Sequence, residues 1–264
     1  MAEVEGARTF AVDGRTYDAF MGRYSGPLSE QFADAAGVSA GATALDVGCG
    51  PGALTGLLVS RLGPGSVSAC DPSPPFRDAC AARHRGTVVK LGRAESIPFE
   101  DDVVDHALAQ LVLHFVSDPP QAAAEMARVV RPGGTVAACV WDFAGGMEML
   151  RAFWDAALSI DPDAPDEART LRFGRPGEIA ELFAAAGLED VVESTLEVAS
   201  TYASFDELWG GFLAGVGPAG AYCVSLSEMD RGRLRAALLL RCGSPDGPFT
   251  LHAVARCAVA RVPR

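Results

Sequence analysis

The chain has 264 residues, 49% hydrophobic and 21% charged, a balance that excludes a disordered or bilayer-embedded polypeptide. Its net charge of −12 and pI of about 4.7 set a polyanion aside as a partner, so neither nucleic acid nor an anionic membrane surface is expected. No stretch approaches the roughly 20 apolar residues needed to cross a bilayer, and the start MAEVEGARTF lacks the basic and apolar parts of a secretory signal; a cytoplasmic protein is expected.

In chain order, the first clear strand covers residues 43–47 and ends at glycines. A helix follows over 53–62, with Leu54, Leu57, Leu58 and Leu62 on one face and Gly63 as its stop. A second strand over 66–70, a helix over 76–85 and a third strand over 87–91 come next. The fourth strand spans 105–110, and a helix over 121–130 ends at Arg131-Pro132-Gly133-Gly134, where proline cannot continue a helix and glycine accepts positive φ. The fifth strand covers 135–141. Strands that alternate with helices in this way imply parallel pairing and crossover connections.

Beyond this the texture changes. A helix over 147–159 precedes an acidic, proline-containing loop over 161–167; a helix over 177–186 leads to a strand over 191–198. Ser204 and Glu207 form a capping-box pattern for a helix weakened by Gly210, Gly211, Gly215 and Gly217. A helix over 228–240 and an alternating strand over 249–262 close the chain. Helices placed between the last two strands would lie over the sheet edge as a lid. The expectation is one domain over 1–264, an α/β, Rossmann-like, seven-stranded, mostly parallel sheet with helices on both faces. Its core is about 40–141, and the lid and substrate elements are about 1–39, 142–175 and 200–248. Seven scattered cysteines, never spaced C-x-x-C, read as reduced thiols and offer no metal site.

The run Asp46-Val47-Gly48-Cys49-Gly50-Pro51-Gly52 sets a glycine turn between a strand and a helix, where a ligand can approach the backbone and a helix start favours an anionic group. Gly48, Gly50 and Ala53 also satisfy the dinucleotide pattern G-x-G-x-x-G/A, which keeps a nicotinamide oxidoreductase open. Asp46 points elsewhere, because a carboxylate at a buried strand end calls for a cation. S-adenosylmethionine (SAM) carries both an ammonium and a sulfonium, and the loop amides could address its carboxylate. Asp71, at the end of the second strand, stands where an acid accepts ribose hydroxyls.

The ordered segments ALDVGCGPGALT, SACDPSP, GRAESIPFEDDVVDHALAQLVLHFVSDP and EMARVVRPGGTVAACVW resemble the class I SAM-dependent methyltransferases, in particular the ubiquinone/menaquinone-biosynthesis-like group. YDAFMGRYS and WDFAGGMEMLRAFWDA resemble a bacterial subgroup of the same family. The resemblance implies that Gly48, Cys49 and Gly50 hold the methionyl part of SAM with Asp46, that Asp71 binds the ribose and that Pro72 lies against the adenine. It further implies that Ala94 and Glu95 meet the adenine, that Gln110 and Leu111 sit beside the sulfonium, and that Tyr17, Met21 and Arg23 close over the cofactor. Ala94 departs from the commoner bulkier or polar residue, which would leave a backbone contact there.

Methyl transfer from SAM is an in-line displacement that needs alignment and exclusion of water more than a dedicated base. His114, just past strand four, is the candidate general base, and Asp142, after strand five, the candidate to orient a hydroxyl or amine. Aromatic residues such as Trp141, Phe153 and Phe212 would line a pocket for a flat or hydrophobic small-molecule methyl acceptor. The chain would act as a monomer or homodimer. The alternative is a SAM-binding protein that catalyses something other than methyl transfer, or regulates a partner.

Overall fold

The computed structural model describes residues 18–264. Its strands are β1 (Ala44–Val47), β2 (Val67–Asp71), β3 (Val88–Leu91), β4 (Val104–Gln110), β5 (Val130–Trp141), β6 (Glu189–Tyr202) and β7 (Phe249–Arg261). They form one sheet of order β3-β2-β1-β4-β5-β7-β6. The first five pair in parallel, while β7 runs antiparallel to both β5 and β6. All four residues of β1 are buried, and since neighbours on a strand point to opposite faces, both faces of the sheet are covered. The fold is thus the α/β, Rossmann-like, mostly parallel architecture that the alternation in the sequence implies.

The helices are α1 (Arg23–Ala35), α2 (Ala53–Leu62), α3 (Pro74–Arg83), α4 (Pro119–Val129), α5 (Glu148–Leu158), α6 (Glu167–Thr170), α7 (Glu178–Ala185), α8 (Phe205–Leu213), α9 (Gly217–Ser225) and α10 (Glu228–Arg241). Helix α2 begins and ends where its leucine period does. Three helices go beyond the sequence reading. Helix α1 runs through Gly26 and Pro27, residues that normally interrupt a helix, because Tyr24, Leu28 and Phe32 form one fully buried face whose packing outweighs the local penalty. Helix α9 has Pro218 in its first turn, a favoured helix start that the surrounding glycines obscure. The expected loop over 161–167 closes into the short helix α6, capped by Asp166, whose carboxylate accepts from Ala168 N. Strand β5 starts at Val130, earlier than the expected residue 135, with a bulge in its pairing to β4.

The last two strands position the lid. Strand β5 pairs with β7 only over Ala255–Arg261 of the latter, and beyond that β6 and β7 continue together to the pair Tyr202↔Phe249. Helices α8, α9 and α10 are inserted between those two ends. Phe212 of α8 stacks on Phe153 of α5 at 4.3 Å and meets Phe20 edge-on at 5.3 Å, so the insertion closes against both α5 and the segment preceding α1. The outer edge of β6 is partly covered by Gln31 of α1, which donates to Glu197 O and accepts from Glu197 N as a neighbouring strand would.

Candidate functional site

The carboxyl ends of the parallel strands lie along one edge of the sheet, the edge at which open α/β folds bind ligands. At the end of β1 the chain turns through Gly48 and Gly50, both at positive φ (72° and 53°). A Cβ on Gly48 would lie 2.6 Å from Val112 Cγ2, so only glycine lets this turn lie against the segment that follows β4. A Cβ on Gly50 would meet nothing within 4 Å, which leaves a side-chain-free surface beside open space.

The loop amides are not available in the way the sequence suggests. Gly48 N and Cys49 N both donate to Cys70 O, at 2.8 and 3.0 Å, and Gly50 N donates to Asp71 Oδ2 at 2.8 Å. A methionine carboxylate therefore does not find these three donors free; the loop and its flanking carboxyls offer acceptors instead. The Cys49 thiol packs with Ala69 and Cys80.

Asp46 and Asp71 flank this turn, 1% and 5% exposed. Thr55 Oγ1 donates to Asp46 Oδ2 at 2.6 Å, and Ser73 N donates to Asp71 Oδ1 at 2.8 Å. Among the described residues neither carboxylate has an ion-pair partner. Burial pushes Asp46 up to about 7, opposed by the Thr55 hydrogen bonds and reinforced by the charge of Asp71; burial raises Asp71 as well. Two buried acids without a protein cation, beside a side-chain-free turn, fit a ligand rich in positive charge and hydroxyl donors. SAM is such a ligand, and the residues present suit it.

The other expected cofactor residues are placed as follows. Gln110 Nε2 donates to Ser25 O, tying β4 to α1, while its buried Oε1 has no partner among the described residues. Leu111 is held at positive φ (61°), an unusual state for a branched side chain that occurs at functional positions. Ala94 is buried, and Pro72 is exposed. Glu95 turns to Ser117, accepting from its N and Oγ at 3.0 and 2.7 Å; these bonds outweigh burial and hold its carboxyl below the usual range. Arg23 pairs through Nη2 with Glu207 of α8 at 2.5 Å and lies 4.0 Å over the Tyr202 ring, so its guanidinium clasps the lid. Tyr17 lies outside the described residues.

Beside Leu111 lies a cavity of about 40 Å³, walled by Phe20, Met21, Trp141, Phe143, Leu150 and the start of α9. Met21 and Leu111 thus border this second compartment, which His114 and Glu167 also line. His114 sits in a single turn over Leu113–Phe115, its ring 5.3 Å from that of Phe143 and its buried Nδ1 without a partner among the described residues. Burial pushes it down to about 3. A ring held neutral this firmly is a weak proton acceptor, so the general-base role expected of His114 does not follow from its surroundings. Asp142 is engaged elsewhere: Oδ1 accepts from Ala144 N and Gly145 N, and Oδ2 pairs with Arg256 at 2.6 Å. It holds the turn after β5 to β7, and its expected role in orienting an acceptor finds no support in its contacts.

The residue that sequence reasoning missed is Glu167. It is 3% exposed, with Trp154 Nε1 donating to its Oε2 at 2.7 Å. Nothing local flags it, since a carboxylate at the end of an acidic loop reads as solvated. Its burial arises because α6 folds back onto α5.

A nucleoside-binding α/β enzyme is the class that this strand-end arrangement defines. A family model described as "Methyltransferase domain" matches residues 45–138. An uncharacterised methyltransferase of Mycobacterium tuberculosis is 46% identical over 99 residues, 37% of this chain and 39% of that protein, so the match spans about two fifths of that relative's length. Nocamycin O-methyltransferase of Saccharothrix syringae is 32% identical over 198 residues, 67% of this chain and 70% of that protein. Among solved structures, phosphoethanolamine N-methyltransferase 2 of Haemonchus contortus in complex with SAM superposes with a TM-score of 0.59 at 16% identity, covering 97% of this chain and 59% of that one. The chain belongs to the class I SAM-dependent methyltransferases, a family whose cofactor is SAM. Among the described residues no helix is long and apolar enough to cross a membrane.

Proposed function

We propose that this protein transfers the methyl group of SAM to a small-molecule acceptor held in the cavity beside Leu111. The observation that carries the reading is the junction at the end of β4. Gln110, Leu111 and Val112 connect a turn flanked by two buried, uncompensated carboxyls to a small cavity walled mainly by aromatic and aliphatic side chains. In this reading Asp46 faces the cationic part of SAM and Asp71 its ribose, while Gly48, Cys49 and Gly50 present backbone. Pro72, Ala94 and Glu95 border the adenine, Gln110 and Leu111 form the wall between donor and acceptor, and Met21 and Arg23 belong to the cover.

A cavity of about 40 Å³ is of the order of a single water site, so it admits an acceptor only when the lid yields, and then a small one. A relative named as an O-methyltransferase of nocamycin supports an acceptor of that kind, and a net charge of −12 disfavours a polyanionic one. Calorimetric titration tests the reading: SAM and S-adenosylhomocysteine are expected to bind and NAD to give no heat. Absence of binding by both sulfur nucleosides at millimolar concentration overturns it.

A further inference from the structure

We propose that Glu167 is the group that takes the proton from the acceptor, and that the acceptor therefore presents a hydroxyl on a flat, otherwise apolar framework. The proposal rests on the methyltransferase reading and adds to it a residue and a nucleophile.

Glu167, the first residue of α6, lines a cavity whose other walls are mainly aromatic and aliphatic, with His114 among them. One of its oxygens is committed, Oε2 accepting from Trp154 Nε1; Oε1 has no partner among the described residues. Among the described residues no cation pairs with it. Arg151, which serves the neighbouring Asp166, is shared between that residue and Asp155, and His114 across the cavity is neutral. A carboxyl in such a place is costly for the fold unless it meets a donor from a ligand. Burial pushes it up to about 7; the Trp154 hydrogen bond works against this and the charge of Asp166 with it. Near neutral pH the group therefore exchanges its proton readily, the condition for efficient general-base catalysis.

The second polar feature fixes the nucleophile. Trp141 also lines the cavity, and its buried Nε1 has no partner among the described residues. An indole N–H only donates and a carboxylate only accepts, so the complementary group must do both. A hydroxyl oxygen does both, whereas an alkylamine arrives protonated near neutral pH, with no lone pair for Trp141 or for the methyl carbon, and would add a second positive charge beside a sulfonium. Bound SAM supplies an electrophilic methyl carbon: its bond to sulfur breaks with the electron pair left on a neutral thioether, as the acceptor oxygen forms the new carbon–oxygen bond. The hydroxyl proton passes to Glu167 Oε1, so carboxylate and sulfonium give way to a neutral acid, a thioether and an ether.

The test uses the full chain saturated with S-adenosylhomocysteine, with 4-nitrophenol, its methyl ether 4-nitroanisole and 4-nitrobenzylammonium as probes. The readouts are affinity and the ¹⁵N–¹H resonance of the Trp154 indole, assigned with Trp154→Phe. In the unaltered protein this resonance is expected to titrate with a midpoint near pH 7 and to shift on saturation with 4-nitrophenol. Glu167→Gln, which preserves shape and the bond from Trp154, is expected to abolish the titration and weaken 4-nitrophenol roughly tenfold or more, leaving 4-nitroanisole and S-adenosylhomocysteine unchanged. Glu167→Asp, which retains a carboxyl, is expected to recover part of the preference for the phenol, and it decides the matter if the glutamine variant no longer binds S-adenosylhomocysteine. Equal 4-nitrophenol affinity with and without the carboxyl, no displacement of the resonance by it, or a preference for the ammonium probe overturns the proposal. Any of these in a protein that still binds S-adenosylhomocysteine leaves the methyltransferase reading standing, whereas loss of that binding in the unaltered protein removes both.

Discussion

Asp71 accepts from the turn on both oxygens, so its carboxylate shapes the loop, and in the proposed reading the same group meets the ribose. Asp71→Ala is expected to weaken SAM binding by about 1 to 3 kcal/mol, through lost charge-assisted hydrogen bonds, in a calorimetric titration. An unchanged dissociation constant would reject the ribose assignment. Asp46 makes a prediction about pH. Its folded carboxyl is raised to about 7, above the ordinary value of about 3.9, so between these values the folded protein keeps a proton that the unfolded chain has lost. The stability it contributes is full below the lower value and is lost as pH rises through the upper one, and Glu167, also raised to about 7, acts in the same sense. A cation beside Asp46 lowers its proton affinity again. SAM binding at about pH 6.5 is therefore expected to release a fraction of a proton, seen as a calorimetric enthalpy that depends on the buffer, and Asp46→Asn is expected to remove that dependence.

At the scale of elements, the turn after β1 is where backbone and packing constrain the chain together. Gly48→Ala introduces both a Cβ 2.6 Å from Val112 and a side chain at positive φ, for an expected loss of about 1 to 3 kcal/mol in thermal or denaturant unfolding. Val112→Ala on top of it should return the steric part only, so the double variant is expected to stay below the Val112→Ala protein. Helices with a leucine period and a glycine stop, such as α2, were legible in the sequence because one local signal decides them. Helices α1 and α9 were not, because Pro27 and the glycines near 215 argue locally for a break and only buried contacts with distant elements overrule them. The same distinction divides the site. Asp46, Asp71 and the glycines announce themselves by spacing. The burial that lowers His114, the engagement of Asp142 by Arg256 and the folding of Glu167 back onto Trp154 arise from tertiary packing that no local spacing announces.

For the molecule as a whole, one hydrophobic cluster includes Phe32 of α1, Leu45 of β1, Trp141 of β5, Phe212 of α8 and Leu238 of α10. That continuity supports a single domain over the described residues, and a single unfolding transition is expected by calorimetry and circular dichroism alike. Saturation with SAM to about 100 times its dissociation constant contributes about 2.7 kcal/mol, which raises the midpoint by roughly 5 to 10 °C for a chain of this size. Separate transitions for core and lid would show that the insertion folds independently.

The arrangement of β6 and β7 has a further consequence. Because α8, α9 and α10 leave the sheet at Tyr202 and return at Phe249, directly opposite each other in the ladder, the two ends of the insertion are pinned side by side whatever lies between them. A replacement segment of different length or composition would begin and finish at the same two points, and extra residues there add little closure entropy. The insertion therefore forms an exchangeable cassette: if the start of α9 meets the acceptor as proposed, grafts between homologues at this doorway are expected to alter what is methylated while the turn after β1 is left untouched.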